Sequence, residues 1–169
     1  DEKRKIMAKF ADWLSDIQYE TVHGDASVPE VREVVFDSRK AVQGTVFNAM
    51  KGANVDAHRF IPAVIAQGCQ AIVIEEDPSE FGLDLAMVPA EVAIIRVENA
   101  RAALAALSAA RFDHPSREMT VIAITGTKGK TTTAHMIQQI LEDAGEKVGC
   151  IGTTGVEYCG HHLPTKNTT

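Results

Sequence analysis

The sequence predicts an α/β protein in two parts, and three observations lead to this prediction. Short apolar segments rich in Val and Ile alternate with amphipathic or Ala-rich segments, which is typical of strands alternating with helices around parallel sheets. A Gly-rich turn ending in Gly-Lys-Thr follows one of the apolar segments. The break at His114-Pro115-Ser116 separates the two parts. We therefore expect a small α/β domain at residues 1–115 and the first part of a Rossmann-like, parallel-sheet domain at residues 116–169.

Periodicity and the positions of Gly and Pro place the elements of the first part. Asn99 is a suitable N-cap for the Ala-rich segment that follows it, and Pro62 fits only the first turn of an earlier helix. We expect helices over residues 3–17, 58–67 and 99–112, strands over residues 31–36, 45–50, 71–74 and 92–97, and mostly loop over residues 75–91.

The second part begins with a predicted strand at residues 121–124, followed by the Gly-rich turn and an amphipathic helix. That helix starts near Lys130, and Gly145 lies where a C-terminal cap is expected. A further strand is predicted over residues 147–152, and a loop runs from there to Thr169. The order of strand, Gly-rich turn, Gly-Lys-Thr and helix is that of a P-loop.

The residue types of this turn suit a bound nucleotide. Gly126 and Gly129 allow backbone N–H groups to approach phosphate oxygens, and the helix N-terminus adds positive potential. Lys130 can contact the β- and γ-phosphates in a catalytic role, and the Thr131 hydroxyl can ligand Mg²⁺. The general pattern has Gly where Ile124 stands here, so an ordinary strand-to-helix turn is the alternative. The predicted nucleotide-binding residues are Gly126, Thr127, Lys128, Gly129, Lys130, Thr131 and Thr132.

Composition narrows the classes of protein that the chain can represent. With 45% hydrophobic and 24% charged residues it is typical of globular proteins, and its net charge of −6 argues against a nucleic-acid partner. No apolar run approaches the ~20 residues of a membrane span. Three widely spaced cysteines form no disulfide framework, which favours a reducing, cytoplasmic location, and the lack of a long apolar run argues against membrane association. The chain starts without Met and has no element after its last predicted strand, so we expect a piece of a longer protein.

Three patches together give a more specific signal than the P-loop alone. In chain order they are Asp37-Ser38-Arg39 with Gly44-Thr45-Val46-Phe47, Gly52, Asp56 and His58-Arg59-Phe60-Ile61; then residues 124–132; then Ile151-Gly152-Thr153-Thr154-Gly155 leading to Asn167-Thr168-Thr169. In this order they resemble the N-terminal part of a Mur ligase, over nearly the whole chain. The most similar branch is the one that adds the third residue of the peptidoglycan stem peptide.

This resemblance implies a set of substrate-binding residues. By analogy with the family, Phe36 and Ser38 contact the uridine end of UDP-N-acetylmuramoyl-dipeptide, and the loop after Gly52 lines the same pocket. The Asn-Thr-Thr patch would touch the muramoyl-peptide part. Lys128 stands where many members carry Asn, and a cation there is compatible with phosphate. The substrate-binding residues implied in this way are Phe36, Ser38, Ala53, Asn54, Val55, Asn167, Thr168 and Thr169.

The resemblance also implies a reaction, which is ATP- and Mg²⁺-dependent amide formation. A carboxylate of UDP-N-acetylmuramoyl-L-alanyl-D-glutamate would form an acyl phosphate, which the amine of an incoming amino acid attacks. Phosphoryl transfer needs charge neutralisation and in-line positioning, which a P-loop supplies. Other parts of the family's active site lie outside these residues. We therefore expect the chain alone to bind its ligands without catalysing the reaction, and turnover by the 169-residue chain would refute this.

Several alternatives stay open at this stage. The Asp37-Ser38-Arg39 patch can be a local turn, since Asp and Ser bond nearby backbone readily. Within the family, the ligase for the terminal dipeptide shares a version of the first patch, and folate polyglutamylating relatives share the P-loop. A non-catalytic nucleotide-binding module is a further possibility, whereas a GTPase would need an Asn-Lys-x-Asp motif that the sequence lacks. We predict no metal ligand among His58, His161 and His162.

Overall fold

The computed structural model describes residues 7–52 and 55–164. The chain forms two compact units, Asp1–Met119 and Thr120–Thr169. The predicted α/β fold class is confirmed, because the first unit has helices around a largely parallel sheet and the second carries the P-loop segment and its helix. The domain limits at residues 115 and 116 stay a prediction. In the described ranges no helix is both long and apolar enough to cross a bilayer.

The first unit is organised around a five-stranded sheet whose strands lie in the order β2 (Glu20–His23), β7 (Ala93–Arg96), β6 (Ala71–Ile74), β5 (Thr45–Asn48) and β4 (Glu33–Val35). Four neighbouring strands are parallel, and β2 joins β7 at one edge in the antiparallel direction. In the register of the parallel strands, Phe47 lies beside Val35 and Ile72, and Ile72 lies beside Ile94.

The central strands β5, β6 and β7 are mostly apolar because both faces of the sheet are covered. Successive side chains of a strand point to opposite faces, so each strand supplies two cores. One core packs against the short 3₁₀ helix Phe10–Leu14 and the helix α2 (Ala100–Arg111). The other packs against the helix α1 (Ile61–Ala66) and the loop residues that precede β7. Val46, Val73 and Ile95 face the first core, and Phe47, Ile72 and Ile94 face the second.

The helix start signals in this unit are confirmed. The Asn99 side chain accepts a hydrogen bond from the backbone N–H of Ala102 at 2.9 Å and caps α2. Pro62 occupies the first turn of α1, where its missing N–H costs nothing. The helix predicted over residues 58–67 begins as a 3₁₀ turn, Ala57–Phe60, and continues as α1.

The helix predicted over residues 3–17 is wrong as a continuous helix in its described part, and residues 3–6 lie outside the described ranges. Its described part contains β1 (Ala8–Lys9), which pairs with β3 (Glu30–Val31), and the 3₁₀ helix Phe10–Leu14. The apolar periodicity is real, since Phe10, Trp13 and Leu14 are buried. However, the N–H groups of Phe10 and Ala11 donate to carbonyls of the loop at residues 26–29 and are not available for a longer helix.

The strand predicted over residues 31–36 is interrupted at Arg32. The N–H of Arg32 donates to the carbonyl of Gly44 at 2.8 Å, which ends the pairing of β3 and allows β4 to enter the main sheet. One continuous run of β-forming residues therefore contributes a strand to each of two different sheets. Periodicity cannot locate such a break, because it depends on the partner strands.

The second unit contains α3 (Lys130–Asp143) and a three-stranded antiparallel sheet. The predicted parallel arrangement is wrong for these strands: β8 (Gly149–Gly152), β9 (Gly155–Tyr158) and β10 (His161–Leu163) pair as consecutive hairpins. Part of the predicted closing loop is therefore strand. Hairpins need no crossover, and the left-handed conformations of Gly155 and Gly160 suit their turns.

The strand predicted at residues 121–124 is also wrong, since this segment pairs with no other strand among the described residues. Val121 and Ile122 expose 65% and 53% of their surface. A strand is held by hydrogen bonds to a neighbour, and apolar sequence alone does not supply one. β8, the strand that follows α3, pairs with β9 and not with residues 121–124.

Gly24 gives a test of the contact between β2 and β7. Both Gly24 (φ +66°) and Gly82 (φ +72°) have left-handed conformations, but a Cβ on Gly24 would overlap the Val92 carbonyl, whereas one on Gly82 meets nothing within 4 Å. Gly82→Ala should lower the free energy of unfolding by about 1 to 2 kcal/mol, and Gly24→Ala by about 3 kcal/mol or more. Urea unfolding followed by the fluorescence of Trp13 measures both changes. Equal losses in the two variants would contradict the overlap at Gly24.

Candidate functional site

The loops that follow the parallel strands all leave the sheet at the same side, where the carboxyl ends of the strands lie. β4 ends at Val35 and β5 ends at Asn48, and the two strands are parallel neighbours. Residues 36–38 and the loop that begins at Ala49 therefore start side by side. In open α/β sheets, ligands bind in the crevice outside the carboxyl ends of the strands. The structure thus brings the starts of the two predicted substrate-binding segments of the first unit to the edge where a ligand site is expected.

The Asp37-Ser38-Arg39 patch forms a capped turn. The Asp37 carboxylate accepts a hydrogen bond from the backbone N–H of Arg39 at 3.1 Å, and bonds from Arg39 Nε and Nη2 at 2.9 and 2.7 Å. This capping starts a 3₁₀ helix, Ser38–Lys40. Hydrogen bonds from Arg39 lower the pKa of Asp37 to about 2. The patch is a local turn, as one interpretation expected, and this turn also fixes the positions of half-buried Ser38 and exposed Phe36.

The loop after β5 closes on itself at its base. Lys51 and Asp56 form an antiparallel bridge, and the N–H of Gly52 donates to the carbonyl of Val55 at 2.9 Å. A Cβ on Gly52 would lie 2.8 Å from that carbonyl oxygen, so only glycine fits there. Val55, a predicted substrate contact, exposes 44% of its surface at this turn. The predicted contacts Ala53 and Asn54 lie outside the described residues.

A buried histidine lies directly behind this loop. His58 is completely buried, and its Nδ1 lies 2.6 Å from Asp56 Oδ1. Its Nε2 accepts a hydrogen bond from the backbone N–H of Glu75 at 3.1 Å. An amide N–H can only donate, so Nε2 carries no hydrogen and Nδ1 donates to Asp56. Burial opposes ionisation of Asp56, yet the hydrogen bonds from His58 keep the pKa of this carboxyl lowered.

Sequence reasoning missed this arrangement, although it noted Asp56 and His58 in the first patch. The available signal was the Asp-x-His spacing at the start of a helix, where an N-cap carboxylate can reach a side chain two residues later. The contact between His58 and the N–H of Glu75 depends on the packing of β6 and could not be found in the sequence.

Asp56, His58 and Glu76 place three ligand-type atoms within 4.8 Å of one another. Metal binding would need a free lone pair on His58, but Nδ1 donates its hydrogen and the lone pair of Nε2 accepts from Glu75. The ammonium of Lys51 already lies 2.7 Å from Glu76 Oε1. The group is therefore a satisfied hydrogen-bond network and not a preformed metal centre.

The P-loop residues lie together at the start of α3 in the second unit. Gly126 (φ +150°) and Gly129 (φ +80°) both have conformations that favour glycine, and Gly129 is the N-cap of the helix. Lys130 Nζ donates to the carbonyl of Gly126, so its ammonium folds back over the turn. The Thr131 hydroxyl lies 3.4 Å from the hydroxyl of Thr153.

Other predicted residues of this site are at the surface or outside the described ranges. Thr127, Lys128 and Thr132 are exposed beside the turn. Asn167, Thr168 and Thr169 lie beyond the described residues, so the structure gives them no geometry. The exposed first turn of α3 offers N–H groups without intrahelical partners, together with one lysine and one hydroxyl, as an anion-binding site requires.

Comparison with known proteins gives the family. The description "Mur ligase family, catalytic domain" matches residues 30–112, and "Mur ligase middle domain" matches residues 124–169. The chain belongs to the Mur ligase family. The first match covers the four parallel strands of the sheet with the two candidate loops, and the second covers the P-loop and α3.

Curated Mur ligases resemble most of this chain. The UDP-N-acetylmuramoyl-L-alanyl-D-glutamate--2,6-diaminopimelate ligase of Clostridium perfringens is 39% identical over 88% of this chain and 28% of its own length. The UDP-N-acetylmuramyl-tripeptide synthetase of Roseiflexus is 42% identical over 79% of this chain and 25% of its own length. The chain therefore spans only about a quarter to a third of the curated Mur ligases that it matches.

Solved structures of Mur ligases share the architecture. A crystal structure of MurF from Acinetobacter baumannii is 33% identical, with a TM-score of 0.59, and the match covers 82% of this chain and 28% of that one. A UDP-N-acetylmuramoyl-L-alanyl-D-glutamate--2,6-diaminopimelate ligase matches with a TM-score of 0.64 over 94% of this chain and 30% of its own. At 19% identity, this second likeness concerns the fold alone.

The Asp37–Arg39 pair gives a pH-dependent test of the capped turn. Arg39→Gln removes the guanidinium hydrogen bonds, so the pKa of Asp37 should rise from about 2 toward its ordinary 3.8. NMR titration of the side-chain carboxyl carbon measures this shift. Lys40→Gln is the matched control, because Lys40 acts on Asp37 only through its charge and should change the pKa less.

The sign of the stability effect follows from the lowered pKa. Asp37 contributes to the stability of the fold above pH 3.8, and this contribution is lost as the pH falls toward about 2. An Asp37 that titrates near 3.8 in the wild-type chain would contradict the capped turn.

Proposed function

We propose that this chain is the N-terminal portion of an ATP-dependent acid–amino-acid ligase of peptidoglycan precursor synthesis. It would act on UDP-N-acetylmuramoyl-L-alanyl-D-glutamate and add the third residue of the stem peptide through an acyl phosphate. The observation that carries the proposal is the presence of both Mur ligase regions in one chain, each containing its candidate site. Relatives named for this substrate, at 39% and 35% identity, support the choice of step.

The first-unit site supports recognition of a nucleoside-linked substrate. The ring of Phe36 exposes 56% of its surface beside the capped turn, and an exposed aromatic ring is suited to contact a base. The Ser38 hydroxyl, held half-buried by that turn, can donate to or accept from a polar group of uridine. Val55 would cover one side of the ligand from the neighbouring loop. Ala53, Asn54 and the Asn-Thr-Thr patch complete the proposed set without further geometric support.

The second-unit site supports binding of ATP with Mg²⁺. N–H groups at the start of α3 would hold phosphate oxygens, and Lys130 would exchange its contact with the Gly126 carbonyl for one with the phosphates. The Thr131 hydroxyl would serve as a Mg²⁺ ligand. Bound Mg²⁺-ATP supplies the phosphoryl group that activates the substrate carboxylate, while these residues orient it and neutralise its charge.

The proposal extends to the setting of the enzyme. Its partners would be UDP-N-acetylmuramoyl-dipeptide and a free amino acid, with no nucleic acid and no membrane, in the cytoplasm. The chain alone would bind its ligands without turnover.

The ligase of the terminal dipeptide is the second candidate, because MurF of Acinetobacter baumannii is 33% identical to this chain. Affinity for UDP-N-acetylmuramoyl-dipeptide, compared with the tripeptide-bearing nucleotide, distinguishes the two.

Calorimetric titration with UDP-N-acetylmuramoyl-L-alanyl-D-glutamate tests the uridine pocket. Ser38→Ala should weaken binding about tenfold, because one hydrogen bond to the ligand is lost from a half-buried position. Ser27→Ala, an exposed serine whose backbone N–H bonds Asp25, is the matched control and should bind like the wild type. Wild-type chain that binds Mg²⁺-ATP but not the UDP-sugar would replace this proposal with a nucleotide-binding module for another substrate.

Nucleotide binding separates the roles of the two neighbouring lysines of the P-loop. Lys130→Ala should weaken Mg²⁺-ATP binding at least tenfold, because it removes the ammonium that lies over the turn. Lys128→Ala removes an exposed cation of equal charge and should weaken it only a few-fold. Titration of each variant with Mg²⁺-ATP at constant ionic strength measures the difference. Equal losses would show that net charge, and not the P-loop geometry, holds the nucleotide.

A further inference from the structure

We infer that His58 is a positioning residue, which holds the loop after β5 in place for substrate binding by tying it to the end of β6. This inference rests on the proposed function, since it concerns the same substrate pocket. His58 touches no proposed ligand atom and acts through Asp56 on one side and Glu75 on the other. The sequence patterns alone predict no role for His58 in the substrate pocket.

The Asp56 end of the link acts on the base of the loop. Asp56 accepts both the Nδ1–H and the backbone N–H of His58 through the same oxygen, at 2.6 and 2.9 Å. Asp56 also pairs with Lys51 across the loop, and the next N–H, that of Ala57, donates to the carbonyl of Met50 at 3.1 Å. The histidine thus fixes the point at which the loop returns to the helix.

The Glu75 end of the link acts on the neighbouring loops. The N–H of Glu75 donates to His58 Nε2, and its carboxylate accepts the N–H of Ala100 at 2.7 Å. Buried Asn48 donates from Nδ2 to the carbonyl of Ala100 at 2.9 Å. The segments that follow β5, β6 and β7 are therefore joined by one connected set of hydrogen bonds, and His58 is the member that connects this set to the base of the loop after β5.

A purely packing role for His58 would need only the volume of its ring. The ring does pack against Phe81, with centroids 5.1 Å apart. However, both ring nitrogens have directed partners, one an acceptor and one a donor, and only the Nδ1–H tautomer satisfies both. A positioning role therefore predicts this tautomer and a loss of loop order when either bond is removed.

Two conservative variants remove one bond each. His58→Asn keeps a donor near the position of Nδ1 and loses the bond to the Glu75 N–H, whereas His58→Gln keeps an acceptor near the position of Nε2 and loses the bond to Asp56. Val64→Ala, which truncates a completely buried side chain of α1, is the control for lost stability alone. All variants are made in the 169-residue chain and compared well below their unfolding temperatures.

Three measurements test the inference. Long-range ¹H–¹⁵N correlation spectra of the wild type should show the Nδ1–H tautomer of His58. Hydrogen exchange without ligand should show at least tenfold loss of protection at the Gly52 and Ala57 amides in both histidine variants, while Ile72 is unchanged. Titration with UDP-N-acetylmuramoyl-L-alanyl-D-glutamate should show about tenfold weaker binding in both, and unchanged binding in Val64→Ala.

The outcomes separate this inference from the proposed function. An Nε2–H tautomer, unchanged exchange at Gly52 and Ala57, or equal loss of affinity in Val64→Ala would each overturn the positioning role even if the wild type binds the UDP-sugar. If the wild type does not bind it, the proposed function and the substrate role both fail, and the exchange data then decide whether His58 orders the loop at all.

Discussion

The parallel pairing of β4, β5, β6 and β7 is the constraint on which the first unit depends. Parallel strands require crossovers, and burial on both faces leaves few polar side chains within the sheet. Polar groups must then collect where the strands end. The capped turn at Asp37, the closed loop at Gly52 and the Glu75 carboxylate all lie at the carboxyl ends of the strands, because the strands that precede them run in one direction.

The described residues of the loops at the carboxyl ends of the strands are well ordered because their backbone groups need hydrogen-bond partners. A loop held against a buried core has N–H and C=O groups that need partners. Here Asp37 and Asp56 accept backbone N–H groups at the starts of two short 3₁₀ helices, and Glu75 accepts the N–H of the first residue of α2. The same bonds that satisfy the backbone order the segments that carry Ser38 and Val55, so under the proposed function the needs of folding and of binding coincide.

The P-loop turn of the second unit depends on a local constraint. α3 buries none of its side chains completely, and Met136 and Ile140 expose 60% and 67% of their surface. Its P-loop geometry nevertheless forms, because glycine conformations and helix N-terminal hydrogen bonding involve residues close in sequence. The residues of the Gly-rich turn could therefore be located from sequence spacing, whereas the pairing of the neighbouring strands could not.

The sequence by itself determined the elements that depend on near neighbours: the Asn99 and Pro62 helix starts, the buried strand at residues 71–74, and the Gly-Lys-Thr turn before α3. It also contained the family patches. Only the tertiary structure decided the break at Arg32, the short 3₁₀ helix in place of an N-terminal α-helix, the antiparallel hairpins, and the link from His58 to Glu75. Each of these depends on which distant backbone group supplies the hydrogen-bond partner, and side-chain periodicity carries no information about that choice.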